Sequence, residues 1–198
     1  MLNDFYQILD PIAFTLGPLS VRWYGLAYIF GFLCAGIVIA LTARRWRIRF
    51  DAYDVLSAVC AIAFGVIIGG RLGYCLFYGD GYYLQHPIEI LAVGNGGMSF
   101  HGGLIGAFAG GAIYCATVKM PLLSLADLVV CGAPVGLFFG RCANFINGEL
   151  YGAPTDGPWG VDFLGTGVIY MPSQLIEALL EGVVLFIILF ALSRKVPA

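Results

Sequence analysis

LVVCGAPVGLFFGRCANFINGELYG, residues 128–152, begins as lipid-compatible sequence and ends as something else. Residues 128–139 are wholly apolar or small, and Arg141, Asn144, Asn147 and Glu149 follow at once. A charge at the end of such a run is costly unless it faces a protein interior or a wet cavity. The rest of the chain repeats the apolar theme. It is 60% hydrophobic and 11% charged, with 28 glycines in 198 residues, whereas an ordinary soluble domain is about a quarter charged. Five apolar runs, approximately 20–41, 55–78, 98–118, 123–145 and 173–192, are each near the roughly 20 residues that cross a hydrocarbon core as a helix. The expected fold is therefore all-α, a polytopic transmembrane helical bundle of five spans forming one integral membrane domain over residues 1–198.

Lysine and arginine set the expected orientation. Arg44, Arg45, Arg47 and Arg49 follow the first run, Lys119 the third, and Arg194 and Lys195 the fifth. If every run spans, these three loops share one side, and that side is the cytoplasm. The opposite segments, 79–97 and 146–172, contain no Lys or Arg but carry Asp80, Glu89, Glu149, Asp156 and Asp162. This places the N-terminus in the periplasm and the C-terminus in the cytoplasm. MLNDFYQILDP at the start lacks a basic region and a cleavage site, so the first run is expected to remain as an anchor.

Other classes of function find little support. A net charge of −2 gives no nucleic-acid footprint. Cys34, Cys60, Cys75, Cys115, Cys131 and Cys142 lie in apolar runs without a C-x-x-C pair, so they read as small buried hydrophobes, with no metal and no cofactor expected. Gly94-Asn95-Gly96-Gly97 is no dinucleotide loop, because no strand precedes it. Gly65, Gly69 and Gly73, and likewise Gly102, Gly106 and Gly110, make faces on which helix backbones can approach closely. Tyr82 and Tyr83 in segment 79–97 read as interfacial tyrosines, with His86 part of the same surface. The Gly-, Pro-, Asp- and Trp-rich segment 146–172 reads as an ordered loop on the membrane.

The polar residues of the spans gather towards the non-cytoplasmic ends. Tyr24 opens the first span, Arg71 lies late in the second, and Ser99 and His101 open the third. Arg141, Asn144, Asn147 and Glu149 close the fourth, while Gln174 and Glu177 open the fifth. Only Asp127 and Glu181 are left as isolated candidates in the other half. Arginine offers a planar fork of donors matched to phosphate, asparagines add neutral donors, and histidine moves a proton near neutral pH. The set suits an anionic lipid headgroup beside a proton-transfer step. Each member also has a structural reading. Arg71 snorkels or bridges helices, His101 is a structural histidine, Glu149 pairs with Arg141 or Arg71, and Asn144 and Asn147 cap the fourth span. The residues alone leave a lipid-acting enzyme and a lipid-headgroup binder both open. A small transporter would instead place polar groups at the midplane.

GRCANFINGELYG, with VRWYGLAY (21–28), GGRLGYCLFY (69–78), GGMSFHGGLIG (96–106) and PSQLIEALLEGVVLF (172–186) in the same order, resembles the prolipoprotein diacylglyceryl transferase family over nearly the whole chain. The resemblance implies a multi-pass enzyme of the bacterial inner membrane with its active site facing the periplasmic leaflet. It implies transfer of the diacylglyceryl group of phosphatidylglycerol to the lipobox cysteine of a preprolipoprotein, forming a thioether and releasing glycerol phosphate. This is the first step of lipoprotein maturation. The implied partners are phosphatidylglycerol, lipobox signal peptides and the bilayer. By the same resemblance, Arg141 binds the lipid phosphate and His101 and Tyr24 join it as catalytic residues. Asn144, Glu149 and Gly152 fall on signature positions. Asn147, Arg71, Ser99 and Gln174 complete the expected substrate-binding set.

Two departures stand out. Met171 and Ile176 replace the His and Tyr that usually flank the Pro-Ser-Gln-Leu motif of the fifth span. Family members also usually continue through two more spans, whereas this sequence ends at ALSRKVPA. The expectation is a member lacking those spans, with one side of its pocket unwalled. An inactive or truncated relative that binds anionic lipid without turnover is the alternative.

Overall fold

The computed structural model describes residues 2–17, 19–93 and 96–195. Gly94 and Asn95 of the GNGG stretch, and the last three residues of ALSRKVPA, lie outside the described residues. Among the described residues, five helices are long and apolar enough to cross a membrane: Trp23–Arg45, Ala52–Phe77, Phe100–Val118, Leu122–Asn147 and Ser173–Leu192. The chain divides into two compact units, one of residues Met1–Arg47 with Val129–Ala198, the other of Ile48–Leu128.

In the first unit a short helix α1 (Leu2–Gln7) leads to an antiparallel hairpin, β1 (Ile12–Leu16) and β2 (Leu19–Arg22). Asp10 accepts the Ile12 N–H at 2.8 Å, and Gly17 supplies a positive φ of 60° at the turn. The first spanning helix, α2 (Trp23–Arg45), therefore begins three residues later than the apolar run suggested, because 19–22 are held in a ladder. Arg44 and Arg45 occupy its last turn, where cations complement the carbonyl end of the helix dipole. A side chain on Gly31 would press on the backbone of Gly136, and one on Gly132 on Ala35 and Ile39. These glycines seat α2 against the long helix α6 (Leu122–Asn147), most of which belongs to this unit. The last helix, α7 (Ser173–Leu192), contains a π-helical stretch, Ala178–Val184. Its Gly182 lies directly against Phe138 of α6. At the far end of α7, Trp46 Nε1 donates to the Ser193 carbonyl at 2.9 Å and Arg45 to Ser193 Oγ at 3.1 Å. The guanidinium groups of Arg45 and Arg194 both lie over the Phe190 ring. The basic ends of α2 and α7 thus sit together.

The second unit is built on α3 (Ala52–Phe77) and α5 (Phe100–Val118). Asp51 opens α3 with a reciprocal cap: its carboxylate accepts from the Tyr53 and Asp54 amides, and the Asp54 carboxylate accepts from the Asp51 amide. The two helices meet along Gly65, Gly69 and Gly73 facing Gly102, Gly106 and Gly110. A Cβ at any of these would collide with backbone across the seam, that of Ala61 in the case of Gly110. The opposite face of α3 is bare. Phe64, Ile68, Leu72 and Leu76, four residues apart, are 65%, 57%, 43% and 68% exposed. An apolar stripe left uncovered by protein is the surface a bilayer solvates. Between the helices lie α4 (Tyr82–Gln85) and a 3₁₀ turn, Pro87–Leu91.

Candidate functional site

The end of α6 explains the polar knot in the sequence. Gly148, at φ +66°, turns the chain back; its N–H bonds to Phe145 O and that of Glu149 to Asn144 O, both at 3.1 Å. This paired closure satisfies the last carbonyls from the main chain. The Asn144 and Asn147 side chains are therefore not the cap. They are free to donate to Glu149 Oε1, at 2.9 and 3.4 Å. Gln174, fully buried near the start of α7, donates to the Glu149 carbonyl at 2.8 Å. Glu149 is thus held by amides, and the reading that paired it with Arg141 or Arg71 gives way to this one. The acceptors Asn147 Oδ1 and Gln174 Oε1 are buried without a hydrogen-bond partner among the described residues, which a donor-bearing ligand would relieve.

Arg141 points instead at α7. Its Nε lies 2.9 Å from Glu177 Oε2, and its Nη2 donates to Glu181 Oε2 at 3.4 Å. Glu181 is therefore not an isolated group. Counting from the helix ends explains the difference, since Arg141 lies about 9 Å before the end of α6 and Glu181 about 12 Å into the antiparallel α7. Glu177 and Glu181, four apart, share a helix face, and that spacing was the available signal. Tyr24, half-buried at the start of α2, contacts Tyr28 through their hydroxyls at 3.1 Å.

A folded loop follows. The Gly152 N–H donates to the Met171 carbonyl at 2.8 Å, and a side chain at Gly152 would crowd Met171 and Ser173. This gives the signature glycine a packing reason. Tyr151 stacks on Phe163, which meets Tyr6 of α1 edge-on. Asn3 accepts the Asp162 amide and Gln7 donates to the Asp162 carbonyl, so α1 is pinned to this loop. Burial raises the Tyr6 hydroxyl above its ordinary pKa. The amides of Gly167 and Thr166 hold the Asp162 carboxyl below its usual range.

The second unit carries Arg71, Ser99 and His101. Arg71 is 4% exposed, and each of its three nitrogens donates to main-chain carbonyls, those of Ile90, Gly96, Gly97 and Glu89. Its guanidinium also lies 5.1 Å from the Tyr83 ring centre. Those contacts bind the segment after α4 to α3, a loop-holding arrangement. Ser99 Oγ accepts the Gly102 amide as the N-cap of α5. His101, in the first turn of α5, is exposed; its ring meets Phe100 edge-on, and it makes no hydrogen bond among the described residues.

A sequence model of prolipoprotein diacylglyceryl transferase matches residues 11–198. A phosphatidylglycerol–prolipoprotein diacylglyceryl transferase of Geobacter sulfurreducens is 51% identical over 188 residues, covering 94% of this chain and 72% of that protein. Relatives of the same name from Desulfotalea psychrophila and Azospirillum brasilense are 46% and 48% identical, over 94% and 98% of this chain and 69% and 74% of theirs. With a polar site at the mouth of apolar helices and this degree of identity, the chain belongs to the prolipoprotein diacylglyceryl transferase family.

Proposed function

We propose that the chain moves the diacylglyceryl group of phosphatidylglycerol onto the lipobox cysteine of a preprolipoprotein, the first step of lipoprotein maturation. The observation that carries this reading is Arg141. It is a guanidinium at the polar end of an apolar helix, balanced by carboxylates on one side and followed by an amide-rich turn. Its planar fork suits a lipid phosphate, and its charge would stabilise the phosphate as the C–O bond to the glycerol carbon breaks. The cysteine thiol must lose its proton to attack that carbon. His101 is the proposed acceptor, because it is exposed and its ring is uncommitted. Asn144, Asn147, Glu149 and Gln174 are proposed to shape the headgroup site, Tyr24 to assist catalysis, and Gly152 to hold the loop beside it.

The proposed orientation puts the polar ends of α2, α6 and α7 at the periplasmic leaflet. The Lys and Arg bias of the loops supports it, as does the meeting of Arg45 and Arg194 at the other end of unit one. The test is complementation. Expressed in a strain depleted of its own transferase, this chain should restore growth and lipoprotein maturation, and His101→Ala should not. A parent chain that inserts stably yet leaves preprolipoproteins unmodified would remove the enzymatic reading.

A further inference from the structure

Arg141 faces two carboxylates, and the three groups together carry one net negative charge. That is an unfavourable place to bring an anionic phosphate. Like charges at a few ångströms in a medium less polar than water repel strongly. One carboxylate must yield before the phosphate can seat, and the geometry is unequal between them. Glu177 sits 2.9 Å from Nε, on the flank of the guanidinium, and is 34% exposed. Glu181 sits 3.4 Å from Nη2, at the terminal edge that a phosphate would grip with two parallel bonds, and is 44% exposed. A charge-assisted N–H···O bond is ordinarily about 2.7–2.9 Å long, so the Glu181 contact is the loose one. Glu181 also lies in the π-helical stretch Ala178–Val184, an irregularity that concentrates at functional sites. Gly182 beside it is pressed on Phe138, which fixes the helix body and leaves the side chain as the part that moves.

We infer that Glu181 is a displaceable counter-ion, released from Arg141 when an anionic lipid phosphate binds, while Glu177 is a positioning residue that keeps the guanidinium aimed. The inference rests on the proposed phosphate role of Arg141. It gives the terminal edge of Arg141 a carboxylate partner before lipid binds and makes the site selective for ligands that carry the charge to replace Glu181.

The test measures binding of dioleoyl phosphatidylglycerol in mixed detergent micelles, with dioleoyl phosphatidylcholine as control, and turnover with a lipobox peptide. Glu181→Gln removes the competing charge at an exposed position that accommodates an amide. It should tighten phosphatidylglycerol binding about two- to fivefold, the range of a partly exposed ion pair. Glu177→Gln should lower kcat about tenfold while changing KM less, the mark of a misaimed group rather than lost binding. Glu181→Gln binding no tighter than a parent that prefers phosphatidylglycerol overturns the counter-ion alone. Glu177→Gln matching the parent in kcat overturns the positioning role. A parent with no preference for phosphatidylglycerol over phosphatidylcholine overturns the phosphate reading of Arg141, and the inference with it.

Discussion

Arg141 distinguishes charge from geometry at the scale of a single residue. Arg141→Lys keeps the positive charge but loses the fork that can make two parallel bonds to a phosphate. A charge-assisted hydrogen bond contributes about 1.5–3 kcal/mol, so phosphatidylglycerol binding should weaken about tenfold or more. Arg71→Lys should leave lipid affinity nearly intact and instead loosen the segment after α4, because the arginine's nitrogens are spent on carbonyls there. Lipid titration of both variants checks this; equal affinity for Arg141→Lys and the parent, with loss in Arg71→Lys, would move the phosphate site to Arg71. Asp162 gives a pH dependence. Its folded pKa is depressed, so the turn at 162–167 gains stability above the ordinary carboxylate pKa of about 3.9 and loses it as pH falls through the lower folded value. Amide exchange at Thr166 and Gly167 should show protection that is steady from neutral pH down to about 4 and lost below it. Asp162→Asn, which keeps one acceptor oxygen where the carboxylate has two, should remove the pH dependence and lower the protection of at least one of the two amides. Protection of both amides that survives Asp162→Asn would show that the carboxylate is not what holds the turn. The polar residue types were legible in the sequence, but their pairings were not. Glu149 was expected at the same end of the spans as two arginines, yet the backward turn at Gly148 delivers it to Asn144 and Asn147.

At the scale of elements, the glycine seam between α3 and α5 is the most sequence-legible feature. Three glycines at four-residue spacing on each helix can be read directly, and each would need a shift of backbone to accept a side chain. Gly106→Val should destabilise the second unit by about 1–3 kcal/mol or more through overpacking. Gly136→Ala, where an added Cβ meets nothing within 4 Å, should be neutral or raise stability by about 0.5–1 kcal/mol through helix propensity. Detergent melts of the two variants should separate accordingly, and a Gly106→Val melt coinciding with the parent's would remove the seam from the account. The hairpin before α2 was hidden, because 19–22 continue an apolar run and hydropathy does not distinguish a strand from the first turn of a helix. The π-helical stretch in α7 was hidden for a related reason. Its residues, ALLEGVV, continue the apolar run of the span, and hydropathy does not distinguish a π-helical turn from an α-helical one.

Across the whole molecule, the uneven charge on the loops between the five spans carries the proposed topology. Cysteines introduced singly at Arg47 and Thr155, in a background lacking the six native cysteines, should differ in intact spheroplasts. Position 155 should react with a membrane-impermeant thiol reagent and position 47 should not; the reverse pattern would invert the orientation. The apolar runs and the family were readable from end to end, because membrane solvation and long ordered motifs leave strong marks in sequence. The division of the chain into two units left none, since it depends on which glycine faces meet. The purified chain is incubated with phosphatidylglycerol and a lipobox peptide, and the peptide's mass is followed alongside released glycerol phosphate. The expected product is a peptide heavier by one diacylglyceryl group, with glycerol phosphate released in equal amount, and the expected rate for Arg141→Lys is at least about tenfold lower. A peptide that stays unmodified with the folded parent chain, or one modified equally fast by Arg141→Lys, would contradict the proposed transfer.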